Sequence, residues 1–233
     1  MNNHFQFTLA ALIVILNLSS QAGLARPALP NDVRWVRNST EYKSLCDYVF
    51  RKAAESVQVQ MDLYASTGSK EKKQGFAAVV DLDETVLDNS LYQVERWKAG
   101  LGFTQASWSS WVKRKEAKLI SGAKSFLDTV RNEGVQIVFL SNRMNQNLKP
   151  TQENLLKLDV LKPKDIFLLR QNKLDTKEKR RAEVLEGRGR MEKFGPLNVI
   201  VYLGDQMGDF PQEHSAEIGR KYFLLPNPMY GKW

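Results

Sequence analysis

The stretch AVVDLDETVLDNS, residues 78–90, drives an apolar run straight into Asp81, Asp83, Glu84 and Asp88. Carboxylates at the end of a buried strand are costly unless something cationic meets them there. Asp81 and Asp83 are two apart, so they start on the same side of the extended chain as it leaves the sheet. One carboxylate of such a pair can attack an electrophile while the other handles a proton, provided that their environments differ. Asp205 and Asp209, in GDQMGD, lie four apart just past another apolar run. Four carboxylates in one crevice repel unless a divalent cation neutralises them. With Cys46 the only cysteine, and His4 and His214 the only histidines, a soft or imidazole-rich site is excluded. Hard oxygen donors make Mg²⁺ the expected ion.

A dianionic substrate in that crevice calls for more positive charge than one Mg²⁺. Lys177, near the start of a basic segment, can supply it, and Ser141 can donate a hydrogen bond. An Asp nucleophile, an acid/base Asp, Mg²⁺, a lysine and a hydroxyl together suit phosphoryl transfer through an aspartyl-phosphate.

The elements that must bring these groups together follow from the hydrophobic pattern. Strand-like runs fall at 76–82, 135–141, 165–170, 198–204 and 221–226, and helical stretches at 105–118, 122–133, 151–158, 175–194 and about 211–218. Apolar strands alternating with helices predict an α/β fold whose mainly parallel sheet is covered on both faces. Ligands then bind beyond the carboxyl ends of the strands, where DLD, SNR and GDQMGD all emerge. Upstream, Tyr42, Leu45, Cys46, Val49, Phe50, Ala53, Val57, Met61 and Tyr64 recur at helical spacing, which predicts a long amphipathic helix capped by Ser39 or Thr40. Cys46 falls on its apolar face as a small hydrophobe. Residues 26–39 carry two prolines and are expected to be extended.

Length and composition agree with one folded domain: 233 residues, 42% hydrophobic and 26% charged. The apolar run Leu9–Leu18 is short for a membrane span and suits the core of a secretory signal, cleaved after Ala25 or Ala22, with an uncleaved anchor as the rival reading. Its n-region is weak, His4 being its only side chain able to carry positive charge. The expected location is periplasmic or secreted. No cysteine lies in or just after this segment, which argues against a lipid anchor. The net charge of +8, concentrated between Lys162 and Lys193, suits a solvated helix face and phosphorylated small molecules, and we expect no nucleic-acid polymer as partner.

DLDET resembles the first signature of the haloacid dehalogenase (HAD) superfamily, and GDQMGD its fourth. The ordered set VVDLDETVLDNS, W-x-x-W, SGAKSFL, SNR, GDQMGDF and LPNPMYGKW is similar to the class C acid phosphatases, over about residues 40–233. The resemblance implies a Rossmannoid sheet with a small helical part built from 40–70 and 90–120. It also implies a nucleophile at Asp81 and a general acid/base at Asp83, whose backbone carbonyl ligates Mg²⁺. Ser141 and Asn142 would bind the phosphoryl group, Asp205 would ligate metal, and Asp209 would act through water or as a partner of Lys177. The motif lysine matches Lys177, with Lys173 competing because the spacing there is loose.

Trp108 and Tyr230 match the family's aromatic substrate positions best, with Trp111 and Tyr92 as weaker matches. Stacking there would favour 5′-nucleotides or aryl phosphates. The family further implies an acid optimum and a homodimer. Ser121 stands where the family usually has proline, which bears only on a helix entry. Two rival activities share the fold: a catalytically silent storage or binding protein, and a phosphotransferase that uses an alcohol as acceptor.

Overall fold

The computed structural model describes residues 28–67, 74–211 and 215–231. The expected signal segment 1–25 therefore lies outside the described residues. Five parallel strands form the sheet: β1 (Gly75–Val80), β4 (Gln136–Met144), β5 (Ile166–Arg170), β6 (Leu197–Gly204) and β7 (Tyr222–Leu224), in the order β5-β4-β1-β6-β7. A two-stranded antiparallel ribbon pairs β2 (Leu87–Asp88) with β3 (Lys118–Leu119). β1, which carries the Asp81 and Asp83 motif, is the central strand.

Alternation along the strands divides the core into two layers. Ala78, Val80, Ile137, Phe139, Val201 and Leu203 face one layer, and Ala77, Val79, Val138, Leu140, Val199 and Tyr202 the other. The first is covered by α2 (Thr40–Ser66) and α5 (Ala123–Asn132) through Phe50, Ala53, Val57, Phe126 and Val130. The second is closed by α7 (Lys177–Glu186) through Val184, with Met191 and Phe210. Cys46 is fully buried on α2, and the Ser39 hydroxyl caps that helix by accepting from Tyr42 N at 3.0 Å.

Several boundaries differ from the pattern-based reading. Residues 26–39 are not extended throughout: α1 spans Asn31–Asn38, with Val33 and Val36 buried. Pro30 precedes the helix, where a proline blocks nothing, and sets up its start, while residues 26–27 lie outside the described residues. α6 (Leu148–Lys157) starts before the expected 151 because Pro150 falls in its first turn, where no N–H is needed. α4 (Gln105–Arg114) stops early at Lys115, in the left-handed region with φ 57°, freeing the chain to form β3. The long helix expected over 175–194 ends at Gly187, φ 64°, and is followed only by a 3-10 turn at Gly189–Met191. Of the segment 211–218, Ser215–Glu217 is a 3-10 turn and 212–214 lie outside the described residues.

The expected grouping of 40–70 with 90–120 also divides. α2 lies along the sheet against α5, β6 and β7. The α3 (Ser90–Lys98) and α4 pair instead packs against α1 and α6, and it supplies one wall above the carboxyl edge of the sheet.

Candidate active site

Asp81 follows β1 directly, and its backbone N–H donates to Leu203 O at 2.9 Å, which fixes the motif against β6. The chain then folds back on itself. Glu84 takes a left-handed φ of 54°, its N–H donates to Leu87 O at 2.8 Å, and its Oε1 accepts from Asn89 N at 2.9 Å. Glu84 and Asp88, whose Oδ1 accepts from Ser90 N at 2.8 Å, thus organise the loop. This tight return separates the environments of Asp81 and Asp83.

Asp81 is 5% exposed, and its Oδ1 accepts from Lys177 Nζ at 2.5 Å. The same ammonium donates to Asp209 Oδ1. Lys177 can reach both because it is the first residue of α7, whose N-cap Thr176 accepts from Lys179 N at 3.3 Å. Lys173, the competing motif lysine, is exposed on the preceding loop, and only its carbonyl is engaged, by Arg170.

Asp83 lies on the other side. Arg143 grips it through Nε and Nη2, at 2.9 and 2.7 Å from Oδ1, and Asn89 Nδ2 donates to the same oxygen at 3.0 Å. Pairing between β4 and β5 is irregular from Ser141 to Met144. Such an irregularity re-aims side chains: Asn142 is exposed to the cavity, while Ser141 and Arg143 are buried. Buried Arg180 donates to Ser141 O and to Asn142 Oδ1, the latter at 2.7 Å. The Asn142 oxygen is thereby occupied, and its NH₂ remains as the donor end.

Asp205 follows β6, and its Oδ2 accepts from Asn227 Nδ2 at 2.7 Å. Asp209 Oδ2 accepts from Gln206 N at 3.0 Å in the 3-10 turn Met207–Asp209. Ligand atoms of Asp81, Asp205 and Asp209 lie within 4.8 Å of one another. The Asp83 carboxylate is outside this cluster, being committed to Arg143.

Burial pushes the Asp81 carboxyl well above its ordinary value; Lys177 opposes this, while Asp209, Asp205 and Asp83 push further up. Asp205 is pushed up to about 7 by burial first and by Asp209 second. Burial acts to lower Lys177, but Asp81 and Asp209 more than offset it and hold the ammonium charged. One ammonium among three carboxylates, those of Asp81 and Asp209 buried and that of Asp205 half-buried, leaves an excess of negative charge on hard oxygen donors. That donor set fits a divalent metal ion.

These groups open into a cavity of about 440 Å³. Its floor is Asp81, Asp83, Ser141, Asn142, Lys177, Asp205 and Asp209; Trp108, Phe103, Gln93 and Gln105 line it from the helical insertion, and Tyr230 from the C-terminal segment. Trp111 and Tyr92 do not line it. Trp111 is buried with Nε1 donating to Asn89 Oδ1 at 2.8 Å, and Tyr92 pairs its hydroxyl with Ser107 Oγ at 2.8 Å. Sequence reasoning gave no role to Arg143, Asn89, Arg180 or Asn227. Arg143, Asn89 and Asn227 stood inside the motifs SNR, VVDLDETVLDNS and LPNPMYGKW, and Arg180 closed the K-x-x-R pattern that begins at Lys177; that placement was the available signal.

A family model described as HAD superfamily, subfamily IIIB (acid phosphatase) matches residues 18–233. Two crystal structures of the class C acid phosphatase from Bacillus anthracis are similar to the chain at 28% identity, each covering 86% of this chain and 84% of that one. Their TM-scores are 0.69, for the form with tungstate bound, and 0.71. The chain is also 28% identical to a stem 31 kDa glycoprotein of Glycine max over 193 residues, 79% of this chain and 71% of that protein.

Proposed function

Because the chain belongs to HAD superfamily subfamily IIIB, the acid phosphatases, we propose that it hydrolyses phosphomonoesters by way of a covalent phosphate on Asp81. The observation that carries this reading is the Lys177 ammonium set between Asp81 and Asp209 at the carboxyl edge of the sheet. A carboxylate held there by a cation at its side is oriented for attack, and its burial keeps water from competing.

In the first step an Asp81 oxygen bonds to phosphorus as the bond to the leaving oxygen breaks. That oxygen takes its proton from Asp83. In the second step water passes a proton to Asp83 and bonds to phosphorus, the bond to Asp81 breaks, and phosphate leaves. Ser141, the Asn142 amide and Lys177 donate to the equatorial oxygens, where negative charge gathers. Mg²⁺, held by Asp81, Asp205 and the Asp83 backbone carbonyl, with Asp209 acting through water or Lys177, would supply the charge that lets a carboxylate meet a phosphate dianion.

Trp108 and Tyr230 on the cavity wall, with Phe103 centred 6.2 Å from Trp108, support 5′-nucleotides and aryl phosphates as substrates. The apolar segment 9–18 supports export to the periplasm or medium. An acid optimum follows from the need for a protonated Asp83 in the first step, and a maximum above about pH 8 would contradict it. A homodimer remains part of the family-based reading.

The test is phosphate release from a 5′-nucleotide panel and an aryl phosphate, with Mg²⁺ or EDTA, for the wild type beside Asp81→Asn. Metal-dependent release lost in the variant supports the reading. Equal inertness of both on every substrate would favour a silent binding protein. Adding glycerol and comparing alcohol released with free phosphate measures transfer to an alcohol.

A further inference from the structure

Asp83 is held more elaborately than proton transfer alone requires. Its Oδ1 accepts three hydrogen bonds, from Arg143 Nη2 at 2.7 Å, Arg143 Nε at 2.9 Å and Asn89 Nδ2 at 3.0 Å. Oδ2 has only the longer contact from Arg143 Nε, at 3.2 Å. An oxygen surrounded by three donors has no free lone pair for a proton, so the two oxygens of one carboxyl group differ in what they can do.

The holders are themselves held. Arg143 is 2% exposed and Asn89 fully buried. The remaining arm of Arg143, Nη1, donates to buried Thr151 Oγ1 at 3.0 Å. Asn89 Oδ1 accepts from Trp111 Nε1 at 2.8 Å and from Arg143 Nη2 at 3.4 Å, while its Nδ2 also donates to Leu87 O at 3.2 Å. Every polar atom of the Asn89 side chain is spoken for, which fixes its orientation. Trp111 comes from the same helix as Trp108, whose ring lies under the Arg143 guanidinium at 5.9 Å. The helix that walls the leaving-group side of the cavity is thus wired to the carboxyl group that serves the leaving group.

We propose that Arg143 and Asn89, tethered by Trp111, are positioning residues: they anchor Asp83 by Oδ1 and reserve Oδ2 for the leaving oxygen. The inference rests on the reading of Asp83 as the general acid. It makes a prediction that a purely structural ion pair does not. A poor alkoxide leaving group needs its proton delivered in the transition state, whereas a nitrophenolate departs without much help. Loosening Asp83 should therefore cost activity in proportion to the basicity of the leaving group.

The experiment compares kcat/KM, which reports steps up to the first irreversible one, for a 5′-nucleotide and for p-nitrophenyl phosphate. Arg143→Lys should lose about 100-fold on the nucleotide and less than about 10-fold on the aryl ester. Trp111→Phe removes the donor to Asn89 while keeping an aromatic side chain in the core, with some loss of packing volume that acts on both substrates alike; it should shift the same ratio in the same direction by a smaller factor, and it serves if Arg143→Lys does not fold. Asp83→Asn is the reference, with the steepest dependence. Equal losses on both substrates in the folded variants, with Asp83→Asn steep, would overturn the positioning role. A flat response in Asp83→Asn itself would remove the general-acid reading and this inference with it.

Discussion

Lys177 and Asp81 come from elements almost a hundred residues apart, yet Nζ sits 2.5 Å from Oδ1. The same ammonium also serves Asp209. It is the main local counterweight to the acidic cluster, so what happens when it is removed separates its electrostatic role from its catalytic one.

Lys177→Met should lower kcat/KM by about 10³-fold, the scale of one lost charge-stabilising donor. It should also destabilise the metal-free protein by roughly 3–5 kcal/mol, because two buried carboxylates lose their partner. Mg²⁺ should restore more thermal stability to the variant than it adds to the wild type. Melting curves in EDTA and in Mg²⁺ test this. An unchanged melting temperature in EDTA would mean that the carboxylates were never dependent on Lys177.

Gly204→Ala places a new methyl group against the Asp209 side chain, far inside van der Waals contact. Gly204 ends β6, so the strand cannot simply move away. We expect a loss of about 10²-fold or more in kcat from misplacement of Asp209 and Lys177, and overpacking that costs about 1–3 kcal/mol. Steady-state rates and urea unfolding measure the two separately. Full activity would place Asp209 outside the working site.

Tyr230→Ala should raise KM for 5′-nucleotides about 10-fold, within the roughly 1–3 kcal/mol that stacking on a base contributes. KM for a small alkyl phosphate should hardly move. Kinetics on the two substrate types decide the matter, and a parallel rise would assign Tyr230 to cavity shape rather than to recognition.

Asp175 braces the loop that presents Lys177. Burial acts to raise its pKa, but hydrogen bonds from Arg190 and Gln171 N, with the charges of Arg180 and Arg190, bring it below the ordinary value. A folded-state pKa below the unfolded value of about 3.9 gives stabilisation that is fully present above that pH and fades as pH falls through the folded value. Asp175→Asn should therefore cost roughly 3 kcal/mol near neutral pH. The gap to wild type should hold down to about pH 4 and narrow as pH falls further, through the folded value. Chemical unfolding across that range checks the sign, and a gap that widens in acid would reverse it.

The sheet and its carboxyl edge were legible because apolar runs of strand length, separated by helical stretches, have few other solutions. The helix at Asn31–Asn38 was not, because eight residues after two prolines carry too short a period to stand out. Trp108 and Trp111 show a similar limit. They lie three apart on one helix, yet one lines the cavity and the other donates into the loop beneath it. Spacing placed both on neighbouring faces, and only the packing of α4 against Asn89 distinguishes them.

By itself the sequence determined that Asp81, Asp83, Ser141 and Asp205 emerge together, since parallel strands buried on both faces must release their terminal polar residues at one edge. The tertiary structure alone decided which lysine reaches them and what holds Asp83. Lys173 and Lys177 are equivalent as residue types, but Lys177 opens α7 over the site while Lys173 stays on an exposed loop. The grip of Arg143 on Asp83 joins residues sixty positions apart through a local irregularity in β4. Such a contact depends on how two separately formed elements pack, and no local pattern encodes it.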